Sequence, residues 1–291
     1  MRVVLIGLLI VLIGCEKKID FTLKEQSEKL VVEATIENGQ PPMIILSKSV
    51  GYFSKITPEI LAQTFVHNAD VFISNGTLTH KLKEYSRPLG NNIIFYFYSI
   101  DSSNLSTAFM GQLERSYSLR IVAEGKEYTS ITTIPKITKR IDSIWWKKPQ
   151  VTTDTTKAIL MVKATDPPGY GYYIRYFTKR NSEPFYPALN SVFDDLFVDG
   201  TTYEIQVDRG VDRNAPRQDD EDFFKRGDTV TLKLSNIDKA TYDFWRTMEF
   251  SYATVGDPFS TPTKVLGNIS GGALGYFGGY ASQYRTIIIP Q

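Results

Sequence analysis

The chain has 291 residues with 33 basic and 32 acidic side chains, a net charge of +1 that gives nucleic-acid binding no electrostatic footprint. One cysteine and two histidines leave little material for disulfides, thiolate metal sites or imidazole catalysis. Seventeen tyrosines and seventeen phenylalanines, with few long helical periodicities, favour aromatic-faced sheets, so the expected fold is mainly β.

Arg2 is followed by an apolar run from Val3 to Ile13 whose end opens Leu12-Ile13-Gly14-Cys15, the pattern of a bacterial lipoprotein signal. The run is shorter than the roughly 18 residues of a membrane span. Residues 1–14 are therefore expected to be removed and Cys15 to be lipidated, several acyl chains anchoring stably where one holds marginally. Loss of Arg2 leaves 32 basic against 32 acidic side chains and no free thiol. Residues 15–28, charged and poor in apolar side chains, read as a lipidated tether.

Strand rhythm begins at Leu30 to Ile36 and continues at Met43 to Ser47, Asp70 to Ser74, Thr77 to Leu82, Ile93 to Ile100, Tyr117 to Ala123 and Glu127 to Ile134. This spacing predicts a β-sandwich domain over 29–136, closed by a hairpin at Glu124-Gly125-Lys126. Thr57-Pro58-Glu59 supplies an N-cap, a proline at the first helical position and an early acid, which predicts one short helix between the strands. Pro135 to Arg140 reads as the junction with a second β-rich domain over 137–291.

That second domain is expected to carry strands at Ile141 to Trp146, Ala158 to Ala164, Tyr172 to Thr178, Thr202 to Val207 and Thr229 to Leu234, separated by polar insertions. Asp238 caps a predicted helix whose Tyr242, Trp245, Met248 or Glu249, and Tyr252 recur at helical spacing, a stripe read as core packing. Further on, Gly272, Gly275 and Gly278 imitate a phosphate loop but lack its lysine and a following helix. They read as a strand whose small residues admit another backbone or an aromatic ring.

Candidate chemistry is sparse. His67 and His80 have no partner motif and read as surface or edge residues. Asp194, Asp195 and Asp199 are weak calcium candidates, because the Gly200 turn lacks the alternating ligands of an EF-hand; with Asp219 to Asp222 they read as solvated turns. The aromatic side chains Trp145, Trp146, Tyr172, Tyr176, Tyr276, Phe277 and Tyr280 are candidates for stacking on a ligand or anchoring a partner. No cofactor and no catalytic residue is expected.

The tail from Asp257-Pro258-Phe259-Ser260-Thr261-Pro262 through Gly267-Asn268-Ile269-Ser270-Gly271-Gly272-Ala273-Leu274-Gly275-Tyr276-Phe277-Gly278-Gly279-Tyr280, together with the Cys15 motif, resembles a known family. Leu30-Val31-Val32-Glu33-Ala34, Tyr128 to Pro135 and Phe224 to Val230 add shorter matches. The chain is similar to the Bacteroidota outer-membrane lipoproteins grouped as domain of unknown function 4249. The resemblance implies an immunoglobulin-like first domain, an outer-membrane lipid anchor and a setting near TonB-dependent transporters; it carries no catalytic residues. The function expected is a noncatalytic accessory or partner subunit of such a transporter in nutrient capture or uptake, on either face of the membrane. The alternatives are a stand-alone surface lipoprotein binding glycan or peptide and, less strongly motivated, a carboxylate-dependent hydrolase.

Overall fold

The computed structural model describes residues 27–50, 57–90, 93–216, 222–257, 259–261 and 263–291. Cys15, the expected signal segment and most of the expected tether lie outside these residues, as do Asp219, Asp220 and Glu221. In chain order the first half runs β1 (Leu30–Glu37), β2 (Met43–Lys48), α1 (Pro58–Thr64), β3 (Asp70–Ser74), β4 (Thr79–Gly90), β5 (Ile93–Ile100), β6 (Arg115–Ala123) and β7 (Lys126–Ile134). The second half runs β8 (Arg140–Lys147), β9 (Lys157–Thr165), β10 (Tyr173–Arg180), β11 (Tyr186–Phe193), β12 (Thr202–Val207), β13 (Phe224–Lys225), β14 (Thr229–Ile237), α2 (Lys239–Ala253) and β15 (Leu274–Ile288).

Period-two patterning sets which face of each strand is buried. Val32, Ala34 and Ile36 of β1, Ile44 and Leu46 of β2, Val71 and Ile73 of β3, and Leu119 and Ile121 of β6 all point into one core. Each fully buried Val, Ile or Leu contributes roughly 1.5–3 kcal/mol of transfer free energy. Strand β4 bends this sheet over its core: its start pairs with β3 and its remainder, from Leu82, with β5. The β6–β7 hairpin turns through Glu124 (φ 52°) and Gly125 (φ 75°), two consecutive left-handed residues that match the twist of the flanking strands. Helix α1 is capped by the Thr57 hydroxyl, which accepts from the Ile60 amide at 3.3 Å.

The two halves share one sheet of eleven strands in the order β11-β10-β14-β15-β1-β2-β5-β4-β3-β6-β7. Strand β15 makes the connection, pairing antiparallel with β14 and parallel with β1, from Val31 opposite Leu274 to Glu37 opposite Tyr280. It also supplies Phe277 and Ala281 to the core of the first half. Small residues make this seam possible. A Cβ on Gly275 would overlap the Val32 carbonyl, one on Gly279 the Thr133 carbonyl, and one on Gly278 would meet the Tyr276 ring at 2.9 Å. Gly275 and Gly278 thus let backbone and ring approach closely, as expected from the sequence, whereas Gly272 lies before β15 with nothing within 4 Å of an added Cβ.

In the second half, the β10–β14 face of the large sheet packs on a smaller sheet in which β9 pairs with β8, β12 and β13. Leu160, Val162, Ile174, Leu232 and Leu234 fill the space between them. Helix α2 lays Tyr242 and Phe244 over the large sheet, with the Phe244 and Tyr276 rings stacked 4.4 Å apart. Its cap Asp238 does two jobs: one carboxylate oxygen accepts from the Thr241 amide at 2.9 Å, and the other accepts from the Thr132 hydroxyl and Thr133 amide of β7. The protein is mainly β, of sandwich type, with two α-helices among the described residues.

Candidate functional site

Between the two sheets of the second half lies a cavity of about 490 Å³, within the range that holds small molecules. Its floor is apolar, built from Val162 and Ala164 of β9, Ile174 and Tyr176 of β10, and Leu232 and Leu234 of β14. Phe197, Val198, Tyr203 and Ile205 form another wall, while Lys139, Asp194, Gln206, Asp208 and Tyr242 place polar atoms around the lining. Phe197 is 97% exposed, a large ring kept in water beside an apolar space.

The polar end is organised by Lys139, which follows the first half's last strand and is completely buried. Its ammonium donates to the Asp194 carbonyl at 3.3 Å and lies 3.6 Å from the Asp166 carboxylate. Burial pushes the Lys139 ammonium below the usual lysine range, opposed by Asp166 and Asp195. Burial pushes the Asp166 carboxyl up, opposed by Lys139. The Tyr242 hydroxyl donates to the Asp194 carboxylate at 3.0 Å, and burial followed by that bond moves its pKa up to about 12. Tyr203 is likewise pushed up to about 12, by burial first and the Asp166 charge second.

The turn between β11 and β12 supplies the neighbouring acids. The Asp195 carbonyl accepts from the amides of Val198 and Asp199, and Gly200, at φ 66°, lets the chain return into β12. The carboxylates of Asp195 and Asp199 reach across to the loop after β9, accepting from the Tyr172 amide at 2.9 Å and the Gly169 amide at 2.6 Å. Asp166, at the end of β9, donates its amide to the Thr201 carbonyl. One ligand oxygen each from Asp166, Asp195 and Asp199 lies within 4.8 Å of the others.

Of the residues singled out in the sequence, Tyr176 lines the cavity. Trp145, Trp146 and Tyr172 are half-buried, with the Arg226 guanidinium 4.7 Å from the Trp146 ring centre. Tyr276, Phe277 and Tyr280 belong to the interior: β15 is a central strand covered by α2 on one side and by the first core on the other, so these rings are packed rather than offered to a partner. The Tyr280 hydroxyl accepts from Trp245 Nε1 at 3.1 Å and from the Arg175 guanidinium at 3.4 Å.

Asp195 is buried rather than a solvated turn residue, because the β9–β10 loop covers it. Asp194 points instead to Tyr242, and its place in the acidic group is taken by Asp166. Asp228 is also buried, accepting from the Lys225 amide and the Asn181 side chain. His80 is an interior residue, not a surface one: its Nε2 accepts from the Asp101 amide at 3.0 Å and its Nδ1 faces the Thr107 hydroxyl at 2.9 Å. His67 is exposed, 2.5 Å from Glu84. Sequence reasoning missed Asp166, Lys139 and Phe197. The available signals were Asp166-Pro167-Pro168-Gly169 ending an alternating strand, and Leu196-Phe197 inside an acidic turn.

These features define a sandwich-type β protein with an apolar cavity whose polar end is charged. The chain belongs to the family described as Domain of unknown function (DUF4249), whose model matches residues 16–286. No curated protein matches the chain. Among the described residues no helix is long and apolar enough to cross a membrane, which says nothing about crossing by strands.

Proposed function

We propose that this protein is a noncatalytic, lipid-anchored capture protein of the outer membrane, serving as partner to a TonB-dependent transporter in nutrient uptake. The observation that carries the capture role is the cavity of about 490 Å³ between the sheets, apolar on its floor and polar at Lys139, Asp194 and Tyr242. Such a lining suits a small molecule with an apolar body and a hydrogen-bonding end. The Cys15 motif and the likeness to outer-membrane lipoproteins support the location, where a tether raises the effective concentration of even a weak contact. Buried Tyr276, Phe277 and Tyr280 leave Tyr176 and the exposed Phe197 as the rings nearest a ligand.

The cavity is tested with a solvatochromic apolar dye titrated into the purified full chain. Dye fluorescence should rise saturably with the wild type, and Ala164→Leu, which fills the floor, should weaken binding at least tenfold while the melting midpoint stays within a few degrees. Equal binding by the two proteins would place the dye elsewhere and remove the cavity from the account.

A further inference from the structure

We infer that Asp166, Asp195 and Asp199 form a calcium site that pins the turn carrying Phe197 and Val198. The three carboxylates come from two loops more than twenty residues apart and converge with ligand oxygens within 4.8 Å of one another. Calcium takes six to eight oxygen ligands at about 2.4 Å in a flexible geometry that three loop carboxylates can share, whereas magnesium at about 2.1 Å demands a near-ideal octahedron and keeps more water. The donors are all oxygen, which disfavours zinc and copper.

An independent observation points to a ligand here. Asp166 is 1% exposed, yet neither of its carboxylate oxygens accepts a hydrogen bond among the described residues. Lys139, at 3.6 Å, offsets its charge from beyond hydrogen-bonding distance. Buried carboxylates otherwise find donors or metal ions. Asp195 and Asp199 each have one oxygen held by a backbone amide of the 167–172 loop, which orients both carboxylates before any ion arrives. Three carboxylates against one ammonium leave two formal negative charges, the complement of a divalent cation.

The consequence is mechanical. Leu196, Phe197 and Val198 lie between two of the ligands, so a bound ion holds this wall of the cavity to the end of β9. The ion site stands whether or not the cavity takes a ligand; only its influence on capture rests on the proposed function.

The test uses the full chain purified in mild detergent and stripped with a chelator, its melting midpoint followed against calcium chloride, magnesium chloride and sodium chloride at matched ionic strength. Calcium at about a hundredfold over its dissociation constant should raise the midpoint by about 5 °C. Neither control salt should match it. Asp199→Asn, at a half-buried position, should cut the rise by more than half, and Asp166→Asn should abolish it; Asp194→Asn should keep it. If Asp166→Asn does not fold, Asp199→Asn decides alone. A calcium effect no larger than that of magnesium or sodium, or a full rise in Asp199→Asn, overturns the site.

Discussion

The Lys139 ammonium and the Asp166 carboxylate face each other at 3.6 Å with side chains 1% and 0% exposed. Lys139 follows the last strand of the first half and Asp166 follows β9 in the second, so one buried charge pair ties the junction to the cavity rim. Burial opposes the charged form of both groups, and each offsets part of that cost for the other.

Removing one member should therefore cost more than removing both. Lys139→Met is expected to lower the unfolding free energy by about 3–5 kcal/mol, because Asp166 is left buried and uncompensated. The double variant Lys139→Met with Asp166→Asn should recover a substantial part of that loss. Urea unfolding of the four proteins of this cycle measures it, and strictly additive losses would show that the two groups do not interact.

The β1–β15 seam predicts a graded glycine series. Gly275→Ala introduces a Cβ into the Val32 carbonyl at φ 100°, combining overlap with backbone strain, and should cost about 3 kcal/mol or more. Gly272, at φ 80° with nothing within 4 Å of the added carbon, should lose only the backbone component on changing to alanine, about 1–2 kcal/mol. Equal melting midpoints for the two variants would contradict the close approach.

His80 makes stability depend on pH. Burial lowers its folded-state pKa below the ordinary 6.5, with Asp101 opposing. The neutral ring is favoured in the native state, so its contribution is complete above the unfolded pKa and is lost as pH falls through 6.5 toward the folded value. The slope this one group can impose is at most about 1.4 kcal/mol per pH unit. Thermal midpoints should fall between pH 7 and pH 5, and His80→Gln, whose amide oxygen can still accept from Asp101, should flatten that fall. An unchanged profile in the variant would assign the pH dependence to other groups.

Much of this architecture is legible in the sequence, and the parts that are not share a cause. Alternation marks β6 and β7, Glu124-Gly125 marks their turn, and Thr57 and Asp238 mark both described helices, because each signal lies within a few residues of what it directs. Strand β11 escapes because Pro187, Asn190 and Ser191 break its alternation; the Ser191 amide and hydroxyl are both bound by the buried Glu249 of α2, a partner 58 residues away. The length and placement of β15 escape for the same reason, since its partner β1 is separated from it by most of the chain. The candidate site is the extreme case: Asp195 and Asp199 are visible as acids in a turn, but Asp166 and Lys139 join them only through the pairing of β9 with β12 and β8.

The most direct test of the proposed capture role is affinity purification of the tagged full chain from its native cells in mild detergent, with a Cys15→Ser variant as reference. Reproducible enrichment of a TonB-dependent transporter is expected with the wild type, and its loss is expected with Cys15→Ser. Recovery of no outer-membrane transporter, or equal recovery with both proteins, would contradict it.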